Sequence, residues 1–219
     1  MTPLALAVGA SFALFGAAAE RLASVWPAEE ASRRAPGLRT VLLALAAGAA
    51  GWGIAARSTL PAWATAVHLA ILALLVVLSA TDLDQRRLPH IVLDPLIVVA
   101  VAFVPFNPSV PPLDAVIGAT VAVAFLGVLN LLIRGGVALG DLYLVAPLGL
   151  LLGWEGVFGA IFLAALLSAI TSVILLATRR AGLKSYIPFG PFLVAGAVLA
   201  LLRDDHLLSE AAAAAMRLL

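Results

Sequence analysis

Asp82 and Asp141 stand where so apolar a chain has few reasons to place charge. Asp141 lies just inside an apolar run, in Val137-Ala138-Leu139-Gly140-Asp141, which continues through Leu142, Tyr143 and Leu144 to Pro147. An ionisable residue at mid-membrane costs on the order of 2.5–3.5 kcal/mol by insertion scales, so such a position is a functional candidate by default. The competing explanation is an acid in the first turn of a helix, held there by the macrodipole. Asp82 closes another apolar run, in Thr81-Asp82-Leu83-Asp84-Gln85-Arg86-Arg87-Leu88-Pro89-His90. Its competing explanation is a solvated loop acid beside Arg86 and Arg87. Paired carboxylates can split a peptide bond with water alone. One takes a proton from water while the other donates to the carbonyl, and their titration belongs to the pair.

Few other groups could carry chemistry. The chain has no cysteine, which removes disulfides, thiolate metal sites and a cysteine nucleophile. His68, His90 and His206 are too scattered to suggest a zinc site, so no metal is expected. Glu29 and Glu30 share a loop with arginines, Asp204, Asp205 and Glu210 fall in the tail, and Glu155 and Asp114 fall at helix ends. Asp114 is placed to cap the fifth span. Asp94 lies four residues beyond His90.

The elements that must position the two acids follow from composition. Of 219 residues 63% are hydrophobic and 11% charged, with mean hydropathy +1.14. Soluble domains carry about 25% charged residues, so a water-covered surface cannot be built from this chain. A net charge of +1 gives no electrostatic case for nucleic acid. The fold class expected is all-α, a polytopic membrane helix bundle, because helices satisfy their own backbone in lipid. Eight apolar spans are predicted, at about 3–20, 40–56, 62–81, 91–106, 113–133, 138–153, 156–178 and 187–202. An alanine-rich tail at 211–215 reads as a surface helix. With no soluble domain and no internal repeat, the chain reads as a single integral membrane domain over 1–219. Residues 1–60 form its less clear front and 62–202 its core.

The basic residues orient the spans. Arg21, Arg33, Arg34 and Arg39 follow span one, Arg86 and Arg87 span three, Arg134 span five, and Arg179, Arg180 and Lys184 span seven. Ten of the 13 basic residues therefore fall on one side, leaving Arg57, Arg203 and Arg217 on the other. The positive-inside rule makes the first side cytosolic and puts both termini outside. With no basic residue before Arg21, the first helix reads as retained rather than as a cleaved leader. On this topology span three ends and span six begins at the cytosolic face, so Asp82 and Asp141 arrive there at similar depth.

At these residues the chain resembles the prepilin peptidases, the leader peptidases of type IV pili and type II secretion. The first match is the segment from Asp82 to His90, similar to the family's Asp, acid, basic residues and Ile-Pro-Asn. Leu88 replaces Ile and His90 replaces Asn. The second is Ala138-Leu139-Gly140-Asp141, which resembles Gly-x-Gly-Asp, with Ala138 for the first Gly and Tyr143 where a Lys is usual. The third is Pro188-Phe189-Gly190-Pro191, similar to the opening of the family's last helix. The resemblance implies catalytic roles for Asp82 and Asp141. It gives substrate-binding or site-shaping roles to Asp84, Pro89, Ala138, Gly140, Pro188, Gly190 and Pro191.

It further implies an intramembrane aspartyl endopeptidase of the bacterial inner membrane. Its partners would be membrane-anchored prepilins or pseudopilins, cut at the cytosolic face, and the bilayer itself. Many family members carry a cysteine-rich, zinc-binding loop between the first two helices, linked to methylation of the new N-terminus. That loop is short and cysteine-free here, so S-adenosylmethionine is expected only if methyl transfer is retained, and otherwise no cofactor. Rival readings are a small proton-coupled transporter, a catalytically inactive assembly protein of the same fold, and a membrane peptidase with another substrate.

Overall fold

The structure is a computed structural model and describes residues 2–26, 32–132, 138–179, 182 and 187–202. The expectations for Glu29, Glu30, Arg134, Arg180, Lys184 and the tail from Arg203 onward, with its alanine run, lie outside those residues.

The described residues form helices and short connections without strands. In chain order these are α1 (Pro3–Ala23), α2 (Leu38–Arg57), α3 (Ala62–Gln85), α4 (His90–Phe103) with a 3₁₀ turn (Val104–Phe106), α5 (Pro112–Leu132), α6 (Leu139–Ala177) and α7 (Gly190–Leu202). Five of them, α1, α2, α3, α5 and α6, are long and apolar enough to cross a membrane, and α4 and α7 are shorter apolar helices. Large apolar side chains point outward along the bundle, among them Leu14, Val98, Leu131 and Phe162. In water that surface would drive aggregation. In lipid it is solvated.

The 39 residues of α6 are too long for one crossing, since roughly 20 residues span a bilayer. The helix breaks at Gly153, whose φ of 68° and ψ of −176° are outside helical space. Only glycine adopts that conformation cheaply. The break divides α6 into arms 139–152 and 154–177, so the seven helices provide eight helical segments. A Cβ at Gly153 would also run into the Asp114 carboxylate. Asp114, expected to cap the fifth span, lies instead inside the first turn of α5 and faces the start of the second arm.

The helix limits refine the sequence expectation at one functional point. Span three was expected to stop near residue 81, but α3 continues to Gln85 and stops at Arg86, which is left-handed at φ 56°. Asp82 therefore belongs to the last helical turn, and its exposure is only 7%. α1 and α2 pack along a seam of small residues including Gly9, Gly16 and Gly48, and α1 also reaches α3. α6 packs against α4, α5 and α7, and α3 against α4 and α7. The buried core runs through Ile71, Leu75, Leu78, Leu93, Leu144, Leu148 and Leu193, so it clamps α3, α4, α6 and α7 together.

Candidate active site

Three helix ends meet at one end of the bundle. α3 supplies Asp82 from its last turn. α6 supplies Asp141 from its first turn, and α7 begins there with Gly190. Local sequence explains each end. Ala138, the residue before α6, has extended backbone (φ −76°, ψ 148°) and no side chain able to cap the helix. Asp141 makes up part of that lack: its Oδ2 accepts the Ala138 N–H at 3.3 Å, while its own N–H donates to the Ala138 carbonyl at 3.0 Å. The first-turn explanation of Asp141 is therefore realised, but by one oxygen only.

The other oxygen faces the site. A Cβ built on Gly190 would lie 2.6 Å from Asp82 Oδ2 and 3.6 Å from Asp141 Oδ1. Both carboxylate oxygens thus surround a single point, and cannot be farther apart than those two distances laid end to end. Both acids are buried, Asp141 at 3% exposure. Asp82 Oδ2 has no hydrogen-bond partner although it is out of contact with solvent. A buried polar atom without a partner costs free energy and needs a reason. The Asp141 carboxylate faces the same point. The solvated-loop explanation of Asp82 does not describe this geometry.

The remaining predicted residues fall around the pair in three ways. Gly140 and Pro89 join two motifs: a Cβ on Gly140 would touch Leu88 at 3.1 Å, and Pro89 precedes α4 directly. Pro188 and Pro191 are half-buried and bracket Gly190. Pro191 occupies the first turn of α7, where a missing N–H costs nothing. Ala138 is exposed, so its methyl group does not crowd the acids.

Asp84 turns away from the pair. Its carboxylate accepts from Ser32 Oγ at 2.8 Å and Arg34 Nη2 at 2.7 Å, with Arg39 Nη1 at 3.5 Å. It ties the segment between α1 and α2 to the end of α3. Beside it Gln85 Nε2 donates to the Ala23 carbonyl at 2.7 Å. Glu20, 2% exposed, accepts from Thr40 Oγ1 at 2.8 Å and lies 3.5 Å from Arg21 Nη1. Sequence reasoning overlooked Glu20 and Gln85. The available signal was an acid at the C-terminal end of the first apolar run.

Two of the four departures from the motif pattern, His90 and Tyr143, meet each other. The His90 ring packs edge-on against Tyr143 at 5.5 Å between centroids, and His90 Nδ1 lies 3.2 Å from Asp94 Oδ1. Among the described residues, no group of three or more His, Asp or Glu side chains gathers in a metal-binding arrangement.

Residues 69–173 match the profile of the type IV leader peptidase family. Several curated proteins named prepilin leader peptidase/N-methyltransferase are similar over a comparable stretch. The Bacillus subtilis protein is 30% identical over 145 residues, covering 63% of this chain and 56% of that protein. The protein of Aeromonas salmonicida is 33% identical over 159 residues, or 70% and 55% of the two chains. The protein of Burkholderia pseudomallei is 33% identical over 165 residues, or 73% and 53%. The chain spans about half the length of these relatives. No solved structure matches it.

Proposed function

From the premise that this chain is a relative of the type IV leader peptidases, we propose that it is an intramembrane aspartyl endopeptidase with Asp82 and Asp141 as its catalytic pair. The convergence of both buried carboxylates on Gly190 carries this reading.

In the proposed cycle the ionised member of the pair takes a proton from a water molecule. The water oxygen then bonds to the scissile carbonyl carbon, and the protonated member gives its proton to the carbonyl oxygen. Collapse of the tetrahedral diol breaks the C–N bond, and the departing nitrogen takes back a proton. Burial serves this cycle because two carboxylates in a water-poor site resist joint ionisation. The Asp141 Oδ2 contact with the Ala138 N–H fixes one carboxylate while leaving Oδ1 toward its partner.

The substrate class is a prepilin or pseudopilin-like precursor. Such a chain is membrane-anchored, which brings its cleavage point to the depth of a helix-end dyad. The arginine bias supports a dyad at the cytosolic face, with both termini outside. The exposed Arg86 and Arg87 border this face as positive-inside anchors. The zinc site of larger family members does not fit this chain, which has no cysteine. S-adenosylmethionine enters only if methylation accompanies cleavage, which a one-methyl mass gain on the mature N-terminus would show.

The test is cleavage of a panel of prepilins by the full chain in detergent. Asp82→Asn and Asp141→Asn should each lower the rate by about 10³-fold or more, with insertion unchanged. Cleavage retained by either variant would remove that residue from the pair. Proton-dependent uptake by vesicles carrying the protein, with every prepilin left intact, would favour the transporter instead.

A further inference from the structure

The end of the bundle remote from the dyad holds a second polar feature. A cavity of about 380 Å³ opens there, between the end of α2, the start of α3, the break in α6 and the end of α7. His68 lies 14 residues before Asp82 in α3, a separation of roughly 21 Å along the axis. The cavity is thus distinct from the dyad, and its occupant is independent of the peptidase reading.

Its lining is unusual for a chain with so few charges. Arg57, the last residue of α2, faces it as a cation, and Glu155, two residues past the break at Gly153, faces it as an anion. Both are exposed, and the described structure pairs neither with an opposite charge. His68 is 5% exposed and lies inside a membrane-spanning helix, where an ionisable side chain needs a reason. Its Nδ1 is 2.8 Å from the Ala64 carbonyl. A carbonyl only accepts, so Nδ1 carries the proton and Nε2 is left as the ring's acceptor. Ile54, Leu151 and Leu202 add apolar walls.

We infer that this cavity binds the headgroup of an aminophospholipid, its phosphodiester on Arg57 and its primary ammonium between Glu155 and His68. Opposite charges on one rim select a zwitterion. Two acceptors select an ammonium that still carries N–H donors, which a quaternary ammonium lacks. The apolar walls suit the start of acyl chains better than a free solute.

Native mass spectrometry of the full chain in detergent tests this, with phosphatidylethanolamine, phosphatidylcholine and phosphatidylglycerol as probes. One molecule of phosphatidylethanolamine should bind saturably, about tenfold more tightly than either of the others. Glu155→Gln should reduce phosphatidylethanolamine binding to the level of phosphatidylcholine, and Glu155→Asp should restore the preference. Arg57→Gln should weaken all three lipids. Equal retention of the three lipids by the unaltered protein would overturn the inference, as would an unchanged preference in a folded Glu155→Gln protein. Displacement of the lipid by an equal concentration of soluble phosphoethanolamine would overturn the lipid as the source of the headgroup.

Discussion

The two ends of the bundle share α3, α6 and α7 but use them to opposite effect. At one end α3, α6 and α7 close around Asp82, Asp141 and Gly190, and the acids are almost wholly buried. At the other end they line, together with α2, a cavity rimmed by exposed Arg57 and Glu155. An acid packed against another acid is suited to proton chemistry, because neither can relax into water. An acid on an open rim, with water screening it, is suited to recognition. The same residue type thus takes different work from depth and neighbours rather than from its own chemistry.

The sharpest way to break this comparison is to fill the closed end. Gly190→Ala puts a methyl group 2.6 Å from Asp82 Oδ2, closer than packed atoms tolerate, so the carboxylate must turn aside. Displacing a catalytic group by about 1 Å costs on the order of 10²-fold in rate. Prepilin cleavage should fall by about that factor while lipid binding at the far end is unchanged. Full activity in Gly190→Ala would mean that the close approach has no catalytic weight.

A smaller effect belongs to the open end. Gly153→Ala forces a non-glycine residue to positive φ and pushes its methyl group into Asp114. The expected cost is about 1–3 kcal/mol, read as a lower unfolding temperature in detergent. Cleavage should survive below that temperature, because the dyad lies at the other end of the first arm of α6. Loss of cleavage in a folded Gly153→Ala protein would join the two ends into one mechanical unit.

Asp84→Asn should act more mildly still. It weakens the contacts to Ser32, Arg34 and Arg39 without touching the pair, for a loss of about 1 kcal/mol. Faster proteolysis at residues 32–37, with cleavage of prepilin retained, is the expected result. An inactive Asp84→Asn protein beside an active Asp82→Asn protein would move the catalytic role to Asp84. The smallest effect is that of Ala138→Gly, which restores the motif's glycine at an exposed, extended position. Its rate should stay within about twofold of the original, since no close contact is relieved.

Much of the frame was legible along the chain because hydropathy and charge act locally. Helix limits agree with the expected spans to within a few residues, and the boundary expected between 153 and 156 falls at a glycine break. Asp82 was harder to place. Its neighbours Asp84, Arg86 and Arg87 read as a loop, yet the helix runs on through Gln85 and buries Asp82 against α6 and α7. Asp84 and Asp82 are two residues apart and differ by roughly 200° around a helix, so one faces the α1–α2 segment while the other faces α7. Their separate directions depend on which helices pack where.

By itself the sequence determined a helical membrane chain, its spans, its charge asymmetry, and two acids on the same side of the bilayer. Each of these follows from residue-by-residue transfer between water and lipid, which is nearly additive along the chain. Only the tertiary structure decided that Gly190 lies close against both carboxylates, that Asp84 anchors a loop, and that His90 meets Tyr143. Those approaches join helices dozens of residues apart, and close packing sets them to fractions of an ångström.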